Sequence, residues 1–149
     1  MREVTLEAKT AIIPEATAMV EEILEEAGCP MKTQLQVDVA VDEIISNIAN
    51  YAYAESSGTK TEASSGDGPV PGTFTIRVEL EQEPQAVWIT FIDSGKPYNP
   101  LEKDDPDVTL SLAERQIGGL GIFLVKKTMD KMTYERREGK NILRIMKRF

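Results

Sequence analysis

The sequence predicts an α+β fold: a two-layer α/β sandwich with a mixed, mainly antiparallel sheet and helices on one face. Three observations carry this. Alternating or continuous apolar runs of strand length fall at 3–10, 73–82, 86–92, 132–138 and 141–148. Two early stretches and one late stretch place apolar residues at helical spacing. Strands follow one another through short turns instead of alternating with helices, which favours hairpins over parallel crossover units. With 149 residues, 41% hydrophobic and 28% charged, the chain is expected to form a single domain over 1–149 around a real core.

Residues 3–10 (Glu-Val-Thr-Leu-Glu-Ala-Lys-Thr) alternate as a strand with one wet face. Pro14 then opens a helix in its tolerated first turn, and Gly28 with Pro30 closes it. Ala16, Met19, Val20, Ile23 and Leu24 form its apolar stripe. A longer helix is expected from Lys32 to Ala54, with Val37, Val41, Ile44, Ile45, Ile48 and Ala52 at helical spacing. Residues 55–72 hold little to bury and read as a flexible loop inside the domain. The alternating run 73–82 and the nearly all-apolar run 86–92 (Ala-Val-Trp-Ile-Thr-Phe-Ile) follow, the second as a central strand. Residues 94–117 contain Pro97, Pro100, Pro106, an acidic run and a short amphipathic piece from Leu110 to Gln116. A connection of that length reads as a lid. A helix is expected from Gly119 to Met132, then two strands joined at Glu138-Gly139-Lys140, a hairpin signal. Trp88, Met129 and Met132 are assigned to the core, and Cys29 to a small buried position.

Charge and composition exclude several classes of function. A net charge of −8 repels phosphate backbones and anionic lipid surfaces, so neither nucleic acid nor membrane is an expected partner. With one cysteine no internal disulfide is possible. No apolar run reaches 18 residues and the first residues do not read as a signal peptide, so a cytoplasmic location is expected. The chain has no histidine. Serine–histidine and cysteine–histidine nucleophile systems, histidine zinc sites and histidine autophosphorylation are thereby excluded within it. A general base must be a carboxylate or, less readily, a lysine or tyrosine.

Three short stretches carry the candidate chemistry. Glu43 and Asn47 lie four apart on one helix face, where Asn47 offers a hard oxygen to Mg²⁺ and Glu43 can take a proton from an attacking hydroxyl or water. The competing reading is a solvated face, since the pair lies nearly opposite the most apolar stripe. Asp93-Ser94-Gly95 puts a hydrogen-bond acceptor at a strand end, which suits the amino group of adenine, and Gly95 permits close approach to a flat ring. Its competing reading is an ordinary turn. Gly118-Gly119-Leu120-Gly121 can turn backbone amides toward phosphates at a helix N-terminus. Glycines are costly for a helix start, so a reason beyond linkage is expected. Arg115, three residues before them, is either a γ-phosphate or partner contact or a solvated lid residue.

Taken together these stretches resemble the anti-sigma-factor serine kinases of bacteria, a branch of the Bergerat-fold ATPases that also includes histidine kinase catalytic domains, gyrase B and Hsp90. Glu43-x-x-x-Asn47 is similar to the family's N box, and the segment Asp93 to Pro100 to the one bearing its adenine-binding aspartate. Gly118-Gly119-Leu120-Gly121-Ile122-Phe123-Leu124-Val125 is similar to its second glycine box, and 139–147 to its closing strand. The resemblance implies that ATP is the substrate and Mg²⁺ the metal. Asn47 would bind the metal, Glu43 would be the base, and Asp93 would hold the adenine amino group. Gly95, Gly118, Gly119 and Gly121, with Arg115, would shape the nucleotide pocket and a lid over 94–117. It further implies γ-phosphoryl transfer to a serine or threonine of an anti-anti-sigma (STAS-type) protein, sequestration of a sigma factor, and homodimers in many members. The alternative is a catalytically silent ATP-binding module that regulates a partner by sequestration. Tyr51 stands where many members have histidine, Asn141 where many have threonine, and the 55–72 loop is longer than is usual in this branch.

Overall fold

A computed structural model describes residues 1–53, 72–83, 85–102 and 119–149. Its strands are β1 (Arg2–Glu7), β2 (Thr73–Gln82), β3 (Gln85–Asp93), β4 (Lys131–Arg137) and β5 (Lys140–Arg148). They form one sheet in the order β1-β2-β3-β5-β4, and all four pairings are antiparallel. The helices among the described residues are α1 (Ile13–Glu26), α2 (Met31–Asn47) and α3 (Gly119–Thr128). The expected two-layer α+β sandwich is what forms.

Side-chain alternation explains the layering. Phe74, Ile76 and Val78 on β2, Val87, Ile89 and Phe91 on β3, and Leu143 and Ile145 on β5 all point to the helical side and are buried. Ala16, Val20 and Leu24 of α1, Val37, Val41, Ile44 and Ile45 of α2, and Val125 of α3 meet them. The middle helix α2 packs against both others. Its outer side leaves Met31, Leu35 and Val39 exposed. The expected buried position of Cys29 holds.

Three expectations are revised in detail. Trp88 does not join the core: a period of two puts it on the opposite side of the sheet from Val87 and Ile89. There its ring lies 4.1 Å under the Arg144 guanidinium and 5.7 Å from Lys131 Nζ, and its Nε1 donates to Glu81. The last helix stops at Thr128, not Met132, because Lys131 already pairs with Met146 in the sheet. Lys147 Nζ donates to the Thr128 carbonyl at 2.7 Å, placing a cation at the helix's negative end. The long second helix is α-helical only to Asn47 and continues as a π-helical turn over Ile48–Ala52. The loop at 55–71 and most of the expected lid, including Leu110 to Gln116, lie outside the described residues. Of the lid, 94–99 is irregular and Pro100–Glu102 forms a short 3₁₀ turn.

Candidate functional site

The site forms where the end of β3, the start of β5, the C-terminal half of α2 and the first turn of α3 converge. Asp93 is the last residue of β3 and pairs with Asn141 near the start of β5. It is only 5% exposed. Two donors reach the same carboxylate oxygen, Oδ1: the Gly95 N–H and Asn141 Nδ2, each at 2.9 Å. Oδ2 carries no hydrogen bond among the described residues, and Asp93 lines a pocket.

Asn141, also buried, ties the turn after β3 to β5. Its Nδ2 donates a second bond to the Lys96 carbonyl at 2.9 Å. Its Oδ1 accepts from the Tyr98 N–H at 3.3 Å and from the Tyr134 hydroxyl. Gly95 sits in the same knot: a Cβ there would strike the carbonyl of Ala52 at the end of the π-helical turn. The close approach that glycine permits at 95 is thus made to Ala52. Next to it the Lys96 N–H donates to the Ala52 carbonyl at 2.9 Å, and Arg136 Nη1 donates to the Gly95 carbonyl at 2.8 Å. Tyr53 closes the knot, donating its hydroxyl to the Thr73 carbonyl at 2.7 Å and accepting from the Ser94 N–H at 2.9 Å. Burial pushes its hydroxyl above the usual tyrosine pKa; the Ser94 bond opposes this and the Asp93 charge reinforces it.

The second stretch differs in character. Glu43 and Asn47 do not lie on a solvated face. Asn47 is 9% exposed and lines the pocket, and Glu43 is half-buried. Among the described residues neither end of the Asn47 carboxamide has a hydrogen bond, and its Nδ2 is fully enclosed. α3 begins at Gly119, and at Gly121 the space a Cβ would need is filled by the Glu43 carboxylate. Gly121 of the glycine-rich turn and Glu43, far apart in sequence, therefore touch. Gly118 and Arg115 lie outside the described residues.

Between the two groups is a pocket with apolar walls from Ile44, Phe91 and Leu143 and polar atoms from Asn47, Asp93 and Asn141. Its free volume is about 30 Å³, room for roughly one water molecule. Tyr98, on the irregular segment after β3, forms one wall and stacks on Tyr51 with ring centroids 5.8 Å apart. Tyr51 thus lies at the edge of the pocket through Tyr98.

This arrangement matches a known family over nearly the whole chain. Residues 6–147 fit the model of the histidine kinase-like ATPase domain. The chain belongs to that family. An ATP-binding kinase- or ATPase-type domain follows from the membership. The chain is 26% identical over 113 residues to a protein of Bordetella bronchiseptica named serine/threonine-protein kinase BtrW, covering 75% of this chain and 68% of that one. The fold is shared with the histidine kinase domain of a blue-light activated histidine kinase from Erythrobacter litoralis EL346, with a TM-score of 0.54 at 13% identity. That match covers 95% of this chain, which spans 60% of the other.

The residues fit a hydrated magnesium ion held between protein and phosphates. The Asn47 carboxamide has no hydrogen bond among the described residues, so its oxygen can serve as one hard ligand, and Mg²⁺ takes few protein ligands besides water and phosphates. Sequence reasoning noticed Asn141 only as an unusual residue and did not find its bonds to Asp93 and Tyr134. The available signal was a lone amide in the apolar run Asn141-Ile142-Leu143 of a central strand.

Proposed function

We propose that this domain is an ATP-dependent serine/threonine protein kinase of the anti-sigma-factor type. In this reading it phosphorylates an anti-anti-sigma protein and sequesters a sigma factor. The observation that carries it is the contact of Glu43 with Gly121 of α3, together with Asn47, one helical turn from Glu43, and the buried Asp93 carboxylate lining one apolar pocket. The name of the Bordetella relative supports the serine/threonine specificity.

Each residue has a distinct part in this reading. Asp93 Oδ2 accepts from the 6-amino group of adenine, while Ile44, Phe91 and Leu143 cover the ring. The amides of the first turn of α3 face the phosphates. Mg²⁺, held by Asn47 and the phosphates, supplies charge neutralisation. The partner's serine or threonine oxygen attacks the γ-phosphorus. The bond from that phosphorus to the β–γ bridging oxygen breaks, ADP leaves, and the hydroxyl proton passes to Glu43. Such a transfer rests on positioning and charge neutralisation, which a base, a metal ligand and amide donors can provide.

Titrating the protein with ATP, with and without Mg²⁺, tests the first half. Mg²⁺-dependent binding that is lost in Asn47→Ala and Asp93→Ala supports the site; no binding by the unaltered protein sinks it. Transfer of label from γ-labelled ATP to a serine of an anti-anti-sigma protein, abolished in Glu43→Ala, tests the second half. Tight, nucleotide-dependent partner binding with no transfer would instead establish the silent sequestering module.

A further inference from the structure

We infer that Asn141, oriented by Tyr134, is a positioning residue that makes this pocket select a 6-aminopurine over a 6-oxopurine, acting through Asp93. This rests on the nucleotide reading above and names what sets its base selectivity. An ionised carboxylate only accepts hydrogen bonds, so it welcomes an amino group and repels a carbonyl oxygen at the same place. That discrimination requires one oxygen to face the base in a fixed plane. The terminal torsion of an aspartate is broad, so the side chain does not fix that plane itself. Here both fixing bonds converge on Oδ1, from the Gly95 N–H and from Asn141 Nδ2 at 2.9 Å each, and Oδ2 is left for the ligand.

The orientation of Asn141 is itself determined by its partners. Its amide nitrogen faces the Lys96 carbonyl, which can only accept, and its oxygen faces the Tyr98 N–H, which can only donate. Turning the carboxamide over would set like against like at both, so the assignment is unambiguous. The Tyr134 hydroxyl supplies the second bond to Oδ1 from the neighbouring strand. With both amide protons used on Asp93 and Lys96, Asn141 has none left for the base. Its effect on selectivity must run through Asp93. A side chain with a single hydroxyl at this position could keep the bond to Asp93 but not the whole set.

The test is the affinity of the full chain for Mg-ATP and Mg-ITP, which differ in the 6-amino and 6-oxo groups, measured by calorimetry. The unaltered protein is expected to prefer ATP. Asn141→Ala is expected to lose about tenfold in ATP affinity, the scale of one hydrogen bond to a charged group, while ITP changes by no more than about twofold. Tyr134→Phe is expected to lower the ATP/ITP ratio by about threefold, the scale of one neutral hydrogen bond. Asn141→Thr, which keeps a donor for Asp93, is expected to retain most of the ratio. A parallel loss for both nucleotides, or an unchanged ratio, shows a merely structural role and overturns the inference. If Asn141→Ala does not fold by circular dichroism, Tyr134→Phe decides, and an unchanged ratio there overturns it equally. Binding of neither nucleotide by the unaltered protein overturns the nucleotide reading and this inference with it. Selective ATP binding that survives these substitutions overturns this inference alone.

Discussion

The two ends of the pocket are built in opposite ways. At the Asp93 end nearly every polar atom is bound: Asp93 Oδ1, both ends of Asn141, the Gly95 carbonyl, and the Lys96 and Ser94 N–H groups all have partners within 3.3 Å. At the Asn47 end a buried carboxamide has no partner among the described residues. The network at the Asp93 end fixes geometry beforehand and leaves Asp93 Oδ2 as the open acceptor. An unsatisfied buried amide N–H group is a standing cost that an acceptor such as a phosphate oxygen would relieve. Under the proposed nucleotide reading, the Asp93 end is held in place beforehand and the Asn47 end is completed by what binds.

The comparison can be broken by substitutions at each end, in order of expected size. Glu43→Ala should lower phosphoryl transfer by about 10²–10⁴-fold, the usual contribution of a positioned base, with ATP binding retained; single-turnover transfer beside a binding titration separates the two. Asp93→Ala should cost ATP affinity about 10- to 100-fold by removing a charged acceptor from a buried site, as read by calorimetry. Gly95→Ala should destabilise the fold by about 1–3 kcal/mol, since the added methyl meets the rigid Ala52 carbonyl; a urea unfolding curve measures it. A Gly95→Ala protein as stable as the parent would show that the knot yields easily and that the base end is not rigid.

The smallest effect lies outside the pocket and calibrates the rest. Asp38 on α2 has its Oδ1 buried without a hydrogen-bond partner among the described residues, and its carboxyl is pushed up to about 7, chiefly by burial and then by the hydrogen bond and charge of Glu21 on α1. Between its ordinary value of 3.8 and about 7 the folded state holds a proton that the unfolded chain releases. Stability from this group is therefore complete at low pH and lost as pH rises through that window. Asp38→Asn should flatten this slope and raise Tm at pH 7.5 by a few degrees, leaving Tm near pH 4 unchanged, as thermal melts at both values would show.

Much of the fold was legible because local periodicity set it. The strand at 73–82 matches β2 to the residue, since one face of it is buried and a slip by one would expose every apolar side chain. Glu43, Asn47 and Asp93 could be singled out from residue type and spacing, and the structure brings Asn47 and Asp93 to one pocket. The Asp93–Asn141 bond was not legible, because it depends on the register of β3 against β5, which no local pattern encodes. The side of the sheet that Trp88 takes was lost for a related reason: a nearly all-apolar strand gives no alternation to read. The meeting of Gly121 with Glu43 depends on the packing of α3 on α2 and is equally non-local.

The sheet order also governs how the chain reaches this state. The pairs β2–β3 and β4–β5 are tight hairpins, whereas β1 waits for a partner from far along the sequence, Arg2 facing Val78 and Leu6 facing Phe74. Closing so long a loop is slow relative to forming a hairpin. During synthesis α1 and α2 are complete before β2 and β3, whose buried faces they cover, exist. β1 is thus among the last strands to find its place, and the helices lack their main cover until β2 and β3 have been made.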